Sequence, residues 1–304
     1  RAPVLDWSSF RRTISPSAAC VDEARYTAFT SSGRAALFQA LLQLQLPAGT
    51  TVLIPTYHCP TMVAPVVYAG LKPAFFGLKA DGLPNLDTID VATARAAGAI
   101  IVAQYFGLPR SLSVVREWCD QNDVALIEDC AHSFFGRAGD RPIGHWGDYA
   151  TASLTKFFPV PEAGLLASAT RPIASLSLDP PGAKAQIKGF ADVLQVAVDH
   201  GRLGGLNRLL SPIFGWKRRS RRCAPSDEET DLSEEASMLK VCDMGRIGIA
   251  PLGVALLLNR ALPRGRVAAR RRTNFALYAE HFSATTGARP AVDCIEEPVV
   301  PEAR

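Results

Sequence analysis

Several patterns that would assign a function quickly are missing from this chain of 304 residues. It has neither the Gly-x-Gly-x-x-Gly fingerprint nor a Walker phosphate loop, so no nucleotide-binding motif is indicated. No apolar run is long and clean enough to span a bilayer, and the N-terminus lacks the order of a signal peptide. The seven cysteines include no Cys-x-x-Cys pair. We therefore expect reduced thiols, no metal site, no membrane partner and a cytoplasmic location.

Net charge is also small, because 33 Lys and Arg stand against 29 Asp and Glu, which leaves +4. So mild an excess suits small anionic ligands, and we expect no nucleic-acid partner. A hydrophobic content of 48% with 20% charged residues is typical of a soluble globular protein and argues against extensive disorder. The length predicts one large domain or two.

Apolar runs that read as strands alternate with helical patterns through the first half of the chain. Strands are predicted at 26–30, 51–55, 72–78, 99–104, 124–129 and 149–154. Helices are predicted at 34–46, 62–70, 88–97 and 113–122, with helical tendency again at 186–210, 250–262 and 264–282. This alternation predicts an α/β fold whose mostly parallel central sheet is covered by helices on both faces.

Reactive side chains follow two of the predicted strands. Asp129 stands at the end of one strand and His132 three residues later, while Lys156 follows the next strand. Open α/β sheets bind their ligands at the carboxyl ends of strands, so we expect these residues to converge. A lysine that forms a Schiff base must lose its proton, and a carboxylate can hold the ring nitrogen of pyridoxal phosphate. Taken singly, the acid could be a helix cap and the histidine a satisfied core residue.

A possible anion site precedes them. The strand at 26–30 leads through Ser31, Ser32 and Gly33 into a helix whose first N–H groups are free to face a ligand. For the tripeptide alone, a plain capped helix is the simpler interpretation. The order of these motifs along the chain favours a pyridoxal-phosphate site over a purely structural role. A possible anion-binding turn comes first, an acid and a histidine at a strand end come next, and a turn with a lysine follows.

The sequences EDCAHS at 128–133 and GDYATASLTK at 147–156, followed by Glu-Ala-Gly at 162–164, resemble the DegT/DnrJ/EryC1/StrS family of sugar aminotransferases. These are fold-type-I pyridoxal-phosphate enzymes. The resemblance implies that Lys156 carries the Schiff base and shuttles the substrate proton, and that Asp129 holds the pyridinium proton. The resemblance also places His132 near the phenolic oxygen of the cofactor and implies that Ser153 binds the cofactor phosphate. If the alignment with the family pattern is shifted, Thr151 or Thr155 would take the place of Ser153.

The resemblance also implies the rest of the cofactor site. The turn of Ser32, Gly33 and Arg34 corresponds to the family's Ser-Gly-Thr phosphate turn, with Arg34 in place of the threonine and the backbone amides kept. An aromatic ring from the exit loop at 57–61 is expected over the pyridine face. A gapless match puts Cys59 there, so we assign the ring to Tyr57 or His58, beside the alternative that a loop aromatic simply covers the core.

The implied protein is a homodimeric aminotransferase that moves an amino group, with glutamate as donor, to a keto sugar that is nucleotide-linked. Residues 1–245 would form the large cofactor-binding domain, with an irregular lead-in at 1–25 and a mobile charged loop at 211–235. Residues 246–304 would connect into a small, truncated C-terminal α+β domain. The basic run 217–222 is interpreted as a solvated loop or, alternatively, as a contact for a substrate diphosphate or an acidic surface.

Two alternatives stay open at this point, and a third is disfavoured. A lysine rather than a histidine at position 156 disfavours the family's dehydratase branch. A pyridoxal-phosphate enzyme of another reaction type, or with another amine acceptor, fits the same motifs. A non-catalytic relative that serves as a binding or regulatory module is also conceivable, although the pair of Lys156 and Asp129 argues against it.

Overall fold

The computed structural model describes residues 3–11, 18–221 and 242–286. Its main feature is a seven-stranded sheet. The strands are β1 (Tyr26–Thr30), β2 (Thr51–Pro55), β3 (Lys72–Phe76), β4 (Ala97–Ala103), β5 (Ala125–Asp129), β8 (Tyr149–Ser153) and β9 (Gly164–Ser168). Their order across the sheet is β1-β9-β8-β5-β4-β2-β3. A separate two-stranded hairpin joins β6 (Arg137–Ala138) to β7 (Arg141–Pro142).

Strand direction agrees with the expected mostly parallel sheet. The pairs from β3 through β2, β4 and β5 to β8 are all parallel. Only β9 runs the opposite way among these strands, because it pairs antiparallel with both β8 and β1. The carboxyl ends of β1, β4, β5 and β8 therefore lie at the same edge of the sheet. That edge is where the sequence places its reactive residues.

Helices connect and cover these strands. The described helices are α1 (Gly33–Gln43), α2 (Pro60–Tyr68), α3 (Val91–Ala96), α4 (Ser113–Asn122), α5 (Ala183–Asp199), α6 (Gly205–Arg221), α7 (Gly253–Ala261) and α8 (Arg264–Thr286). Short 3-10 turns include Tyr105–Gly107, Leu154–Lys156 and Met244–Arg246. None of the helices within the described ranges is both long and apolar enough to cross a membrane.

The core has two layers, one on each face of the sheet. Along β2, Val52 and Ile54 belong to a cluster with α1 and α2, whereas Leu53 belongs to a second cluster with α4 and α7. Successive side chains of a strand point to opposite faces, so a strand that is covered on both sides must be apolar at every position. This explains why the strands appear in the sequence as continuous apolar runs.

The structure differs from the expected domain layout in its second half. Residues 211–221, predicted as part of a mobile charged loop, belong to α6, because Leu206, Leu210 and Phe214 pack in a cluster with α5 and extend the helix past Pro212. The remainder of that predicted loop, 222–235, lies outside the described residues, as does the end of the chain from 287. Helix α7 contributes to the sheet's own core cluster. The domain boundary at 245 stays a prediction.

Candidate active site

A cavity of about 710 Å³ opens at the carboxyl edge of the sheet. Its walls come from the turn after β1, the loop after β2, the ends of β5 and β8, and the turn at 243–246. All nine side chains or backbone positions predicted for the site line this cavity: Ser32, Gly33, Arg34, Tyr57, His58, Asp129, His132, Ser153 and Lys156. The fold therefore brings together residues that are more than 120 positions apart in sequence.

Asp129 ends β5 and presents its carboxylate to the cavity wall. Its Oδ1 accepts the backbone N–H of Ala131 at 2.9 Å and lies 3.5 Å from the Thr151 hydroxyl. Within the described residues, Oδ2 has no protein hydrogen-bond partner. Burial raises the pKa of Asp129, although the Ala131 N–H, the Lys156 charge and the Thr151 hydroxyl each oppose that rise. The cavity thus holds a carboxylate whose charge the protein only partly compensates.

The preceding residue, Glu128, is fully buried and ties three parts of the chain together. Its Oε1 accepts the Gln104 side-chain amide at 3.0 Å and the backbone N–H of Gly144 at 3.1 Å, while Oε2 accepts the N–H of Trp146 at 3.0 Å. Gln104 follows β4 and its own N–H donates to the Asp129 carbonyl. This network fixes the backbone from which the Asp129 side chain projects.

Lys156 follows β8 in the turn Leu154–Lys156 and is exposed. Burial raises the pKa of Asp129 and the Lys156 charge opposes that rise, whereas burial and, to a smaller extent, the Lys156 charge both lower the pKa of His132. Behind the lysine, the Arg271 guanidinium from α8 donates to the Lys156 carbonyl at 3.0 Å and lies 4.6 Å from the centre of the Phe157 ring. Helix α8 therefore supports the backbone of the lysine turn.

The turn before α1 has the geometry of an anion site. Ser32 caps the helix, because its hydroxyl accepts the Ala35 N–H at 3.2 Å. In the described part of the chain, the N–H groups of Gly33 and Arg34 have no acceptor. A Cβ on Gly33 would stand 3.0 Å from the Ser153 Cβ, so the turn after β1 and the end of β8 touch. The Ser153 hydroxyl lies 3.2 Å from that of Thr155, which adds further donors beside the turn.

Two arginines bring positive charge to the same wall. Arg246 pairs with Glu162 at 2.6 Å, and its carbonyl accepts the Ser31 hydroxyl at 2.8 Å. The Nε of Arg246 is buried and has no hydrogen-bond partner among the residues that the structure describes. Arg34 makes no hydrogen bond or ion pair with any other described residue, although its charge lowers the pKa of Glu162, which burial otherwise raises. The wall therefore has donors and positive charge that the protein leaves partly unused.

Aromatic side chains also line the cavity. The Tyr57 ring is 60% exposed and lies 5.6 Å from that of Tyr105, whose hydroxyl donates to the Tyr57 carbonyl at 2.5 Å. His58 stacks on Phe75 at 5.1 Å, and its Nδ1 lies 2.8 Å from the Pro55 carbonyl. These contacts commit the His58 ring to β2 and β3, so Tyr57 is the less constrained of the two predicted rings.

Tyr105 and Glu162 are among the cavity residues that were not predicted as site residues. Tyr105 lies close enough to Asp129 for the carboxylate to raise the pKa of its hydroxyl, although burial is the larger cause. Its position after β4 is a signal that the sequence did contain. Glu162 was noted only as part of a turn, and its place in the wall depends on Arg246, which is distant in sequence. Residue types alone do not indicate that pairing.

Comparison with known proteins gives a consistent result. The family model of the DegT/DnrJ/EryC1/StrS aminotransferase family matches residues 17–175. GDP-perosamine synthase of Vibrio cholerae is 24% identical over 147 residues, which are 47% of this chain and 40% of that protein. A dTDP-4-dehydro-2,3,6-trideoxy-D-glucose 4-aminotransferase of Saccharopolyspora spinosa is 29% identical over 126 residues, which are 41% of this chain and 33% of that one. The matched part thus spans less than half the length of these relatives.

Solved structures resemble about half of the chain. An aminotransferase from Psychrobacter cryohalolentis matches with a TM-score of 0.45 and 21% identity, covering 48% of this chain and 38% of that one. A DegT DnrJ EryC1 StrS aminotransferase from Brucella abortus matches with a TM-score of 0.45 and 22% identity, covering 48% and 42%. Since the family model spans more than half of the sequence and includes β1 through β9, the chain belongs to the DegT/DnrJ/EryC1/StrS aminotransferase family.

Proposed function

We propose that this protein is a pyridoxal-phosphate-dependent aminotransferase that moves an amino group from an amino acid, with glutamate as donor, to a nucleotide-linked keto sugar. The observation that carries the proposal is the convergence of Lys156, Asp129 and the turn at 32–34 on one cavity. The names of relatives support the substrate class, since one is a UDP-N-acetyl-3-dehydro-alpha-D-glucosamine 3-aminotransferase from Acidithiobacillus ferrooxidans that is 27% identical over 135 residues.

Three polar groups of pyridoxal phosphate, namely its phosphate, its ring nitrogen and its aldehyde, each have suitable partners among the residues that line the cavity. The unpaired N–H groups of Gly33 and Arg34, with the hydroxyls of Ser32 and Ser153 nearby, suit a phosphate at a helix N-terminus. Asp129 suits a protonated ring nitrogen, and Lys156 suits the aldehyde. When bound, the cofactor supplies that aldehyde and a ring that accepts electrons.

Asp129 and Lys156 would divide the proton chemistry between them. Burial raises the pKa of Asp129, and a positive group beside it would favour the ionised carboxylate. A proton held on the ring nitrogen at Oδ2 would supply that charge. The Lys156 amine would take the proton from the α-carbon of the amino donor and deliver it to the C4′ carbon of the cofactor, and the second half-reaction would reverse this transfer on the keto acceptor. The donor and the acceptor would thus use the same lysine in turn.

His132 and the neighbouring rings would position the cofactor. Burial and the Lys156 charge both lower the pKa of His132, so the imidazole is favoured in its neutral form at neutral pH. A neutral ring can donate one hydrogen bond to a phenolic oxygen without adding a second cation beside Lys156. Tyr57 lies on the same cavity wall with a largely open ring, which suits a stacking contact.

The proposal is tested by visible absorbance of the purified protein with added pyridoxal phosphate, before and after glutamate. We expect a yellow complex that bleaches with glutamate, and no such complex in Lys156→Ala. Lys72→Ala is a suitable control, because Lys72 is exposed at the start of β3, away from the cavity. A yellow complex that ignores amino donors would favour another reaction type. A protein that never turns yellow would contradict the enzymatic proposal.

We also propose that the protein is a cytoplasmic homodimer, as the family resemblance implies. The cavity is open in the single chain, and the charged and aromatic residues on its walls could accept further groups from a second copy. Light scattering coupled to size exclusion, with and without the cofactor, measures the mass directly. A mass of one chain, 32.6 kDa, under both conditions would contradict the dimer.

A further inference from the structure

Four aromatic rings form a cluster at the edge of the cavity, here called the rim cluster: Tyr57, Tyr105, Phe106 and His132. Phe106 is central to it. Its ring centre lies 5.6 Å from that of Tyr105, 6.1 Å from that of Tyr57 and 6.1 Å from that of His132. The other three residues line the cavity directly. The Phe106 ring therefore lies beside the cavity, against three rings that line it.

The conformation and exposure of Phe106 are both unfavourable for the free chain. Its backbone has φ 57° and ψ 12°, in the left-handed region that a bulky side chain rarely adopts. Its side chain is nevertheless 67% exposed, so burial does not offset the strain. Backbone strain of this kind persists where the surrounding structure enforces it and is concentrated at ligand sites. Here Gly107, with φ 85°, continues the turn against the His132 carbonyl.

The position of this ring suits one part of the proposed substrate. In a nucleotide-linked keto sugar, the carbonyl carbon must reach Lys156 on the cavity wall. The diphosphate and the nucleobase must then extend away from the lysine, towards the rim. An exposed aromatic face at the rim offers a planar apolar surface of the kind on which bases stack. Arg246 lines the same cavity and would accompany the intervening phosphates.

We propose that Phe106 is the stacking surface for the nucleobase of the substrate, and that its strained turn holds the ring ready at the rim. The inference rests on the proposed function, because it takes the substrate to be nucleotide-linked. Tyr105 would act as a positioning residue, since its hydroxyl fixes the turn to the Tyr57 carbonyl at 2.5 Å. Specificity among bases would then depend on groups other than Phe106, because every base has a face that can stack.

The test is calorimetric binding to the cofactor-loaded protein of UDP, GDP and dTDP, with glucose 1-phosphate as the probe that lacks a base. Phe106→Asn removes the ring while asparagine tolerates the left-handed backbone, so the turn keeps its shape. We expect Phe106→Asn to bind the tightest of the three nucleotides about 5- to 150-fold more weakly. Phe106→Tyr should retain the wild-type affinity, and glucose 1-phosphate should be unaffected by either change.

A matched control is Tyr68→Leu, since the Tyr68 ring is 52% exposed on α2 but packs on Phe38 outside the cavity. Equal nucleotide affinities for wild type and Phe106→Asn would overturn the inference. So would an equal loss of glucose 1-phosphate binding, which would mean that the ring supports the loop rather than a base. A wild-type protein that turns yellow with the cofactor but binds no nucleotide would overturn it while the aminotransferase proposal stands. A protein that binds nucleotides but never turns yellow would contradict the aminotransferase proposal alone.

Discussion

Glu128 provides the sharpest test of how the site is held in place. It is fully buried, and the N–H groups of Gly144 and Trp146 donate to its two oxygens at 3.1 and 3.0 Å. Neither N–H has another acceptor in the described residues. The Gln104 amide also donates to Glu128, but the same amide reaches the Arg110 carbonyl at 3.0 Å and would remain satisfied. Glu128→Ala would therefore leave two buried backbone donors unpaired.

The expected cost follows from that count. An unsatisfied buried donor costs about 1–3 kcal/mol, so Glu128→Ala should lower the free energy of unfolding by about 2–6 kcal/mol. Glu128→Gln keeps one acceptor oxygen and sets an NH₂ group against the other donor, so about 1–3 kcal/mol should be lost. Water that enters the space left by the alanine variant would reduce its cost towards the lower end of the range.

Urea denaturation followed by far-ultraviolet circular dichroism measures these differences. Glu117→Ala is the control, because Glu117 is exposed on α4 and should change the free energy of unfolding by no more than about 0.5 kcal/mol. Two results would refute the reasoning. One is a Glu128→Ala protein within 1 kcal/mol of wild type, as a rough limit set by a single orphaned donor. The other is a glutamine variant that is as unstable as the alanine variant.

Two further predictions concern the cavity walls. Because burial raises the folded-state pKa of Asp129, its stabilising contribution is present below the unfolded pKa of about 3.9 and is lost as pH rises through the folded value. In urea denaturation without the cofactor, Asp129→Asn should therefore have a higher free energy of unfolding than wild type at pH 7 but not at pH 3. Equal free energies of unfolding at pH 7 would contradict this. Gly164→Ala would place a Cβ 2.0 Å from the Ser32 carbonyl oxygen and should cost about 3 kcal/mol or more, whereas Gly182→Ala, with nothing within 4 Å, should be nearly neutral in the same assay.

The strands could be predicted from sequence because both faces of the sheet are buried. A continuous apolar run such as 52–55 in β2 predicts a strand, and the predicted limits at 51–55 match the structure. The reversed strand β9 was missed, although its five residues are all buried. Only residues 154–163 separate it from β8, and a parallel crossover needs a dozen residues or more. That loop length was a signal for an antiparallel neighbour.

The limits of sequence reasoning differ in the second half of the chain. The α6 pattern contains Pro212 and a basic end, so its composition favoured a loop. The helix forms because an apolar stripe that includes Phe214 packs against α5, and tertiary contacts of this kind override local propensity. The sequence alone does not say that α5 is near.

Within the site, the strand-end residues were predictable and the pairings were not. Asp129 and Lys156 follow apolar strands whose parallel order sets them at one edge, so the motif and the topology agree. The link between Glu162 and Arg246 joins residues 84 positions apart. Likewise, the stacking of His58 on Phe75 depends on the register between β2 and β3, which side-chain type does not encode.

Arg34 connects these observations to the proposed cofactor. It occupies the second position of α1, where the helix dipole already concentrates positive potential, and a cation there is disfavoured by about 0.3–1 kcal/mol. No described carboxylate pairs with it, and Glu162, the acid whose pKa it lowers, is bonded to Arg246. The backbone N–H groups of the turn at 32–34, the dipole of α1 and the Arg34 guanidinium thus all favour an anion at this turn. A threonine would contribute a hydroxyl without this penalty, and binding of the proposed cofactor's phosphate would offset the cost of an arginine at position 34.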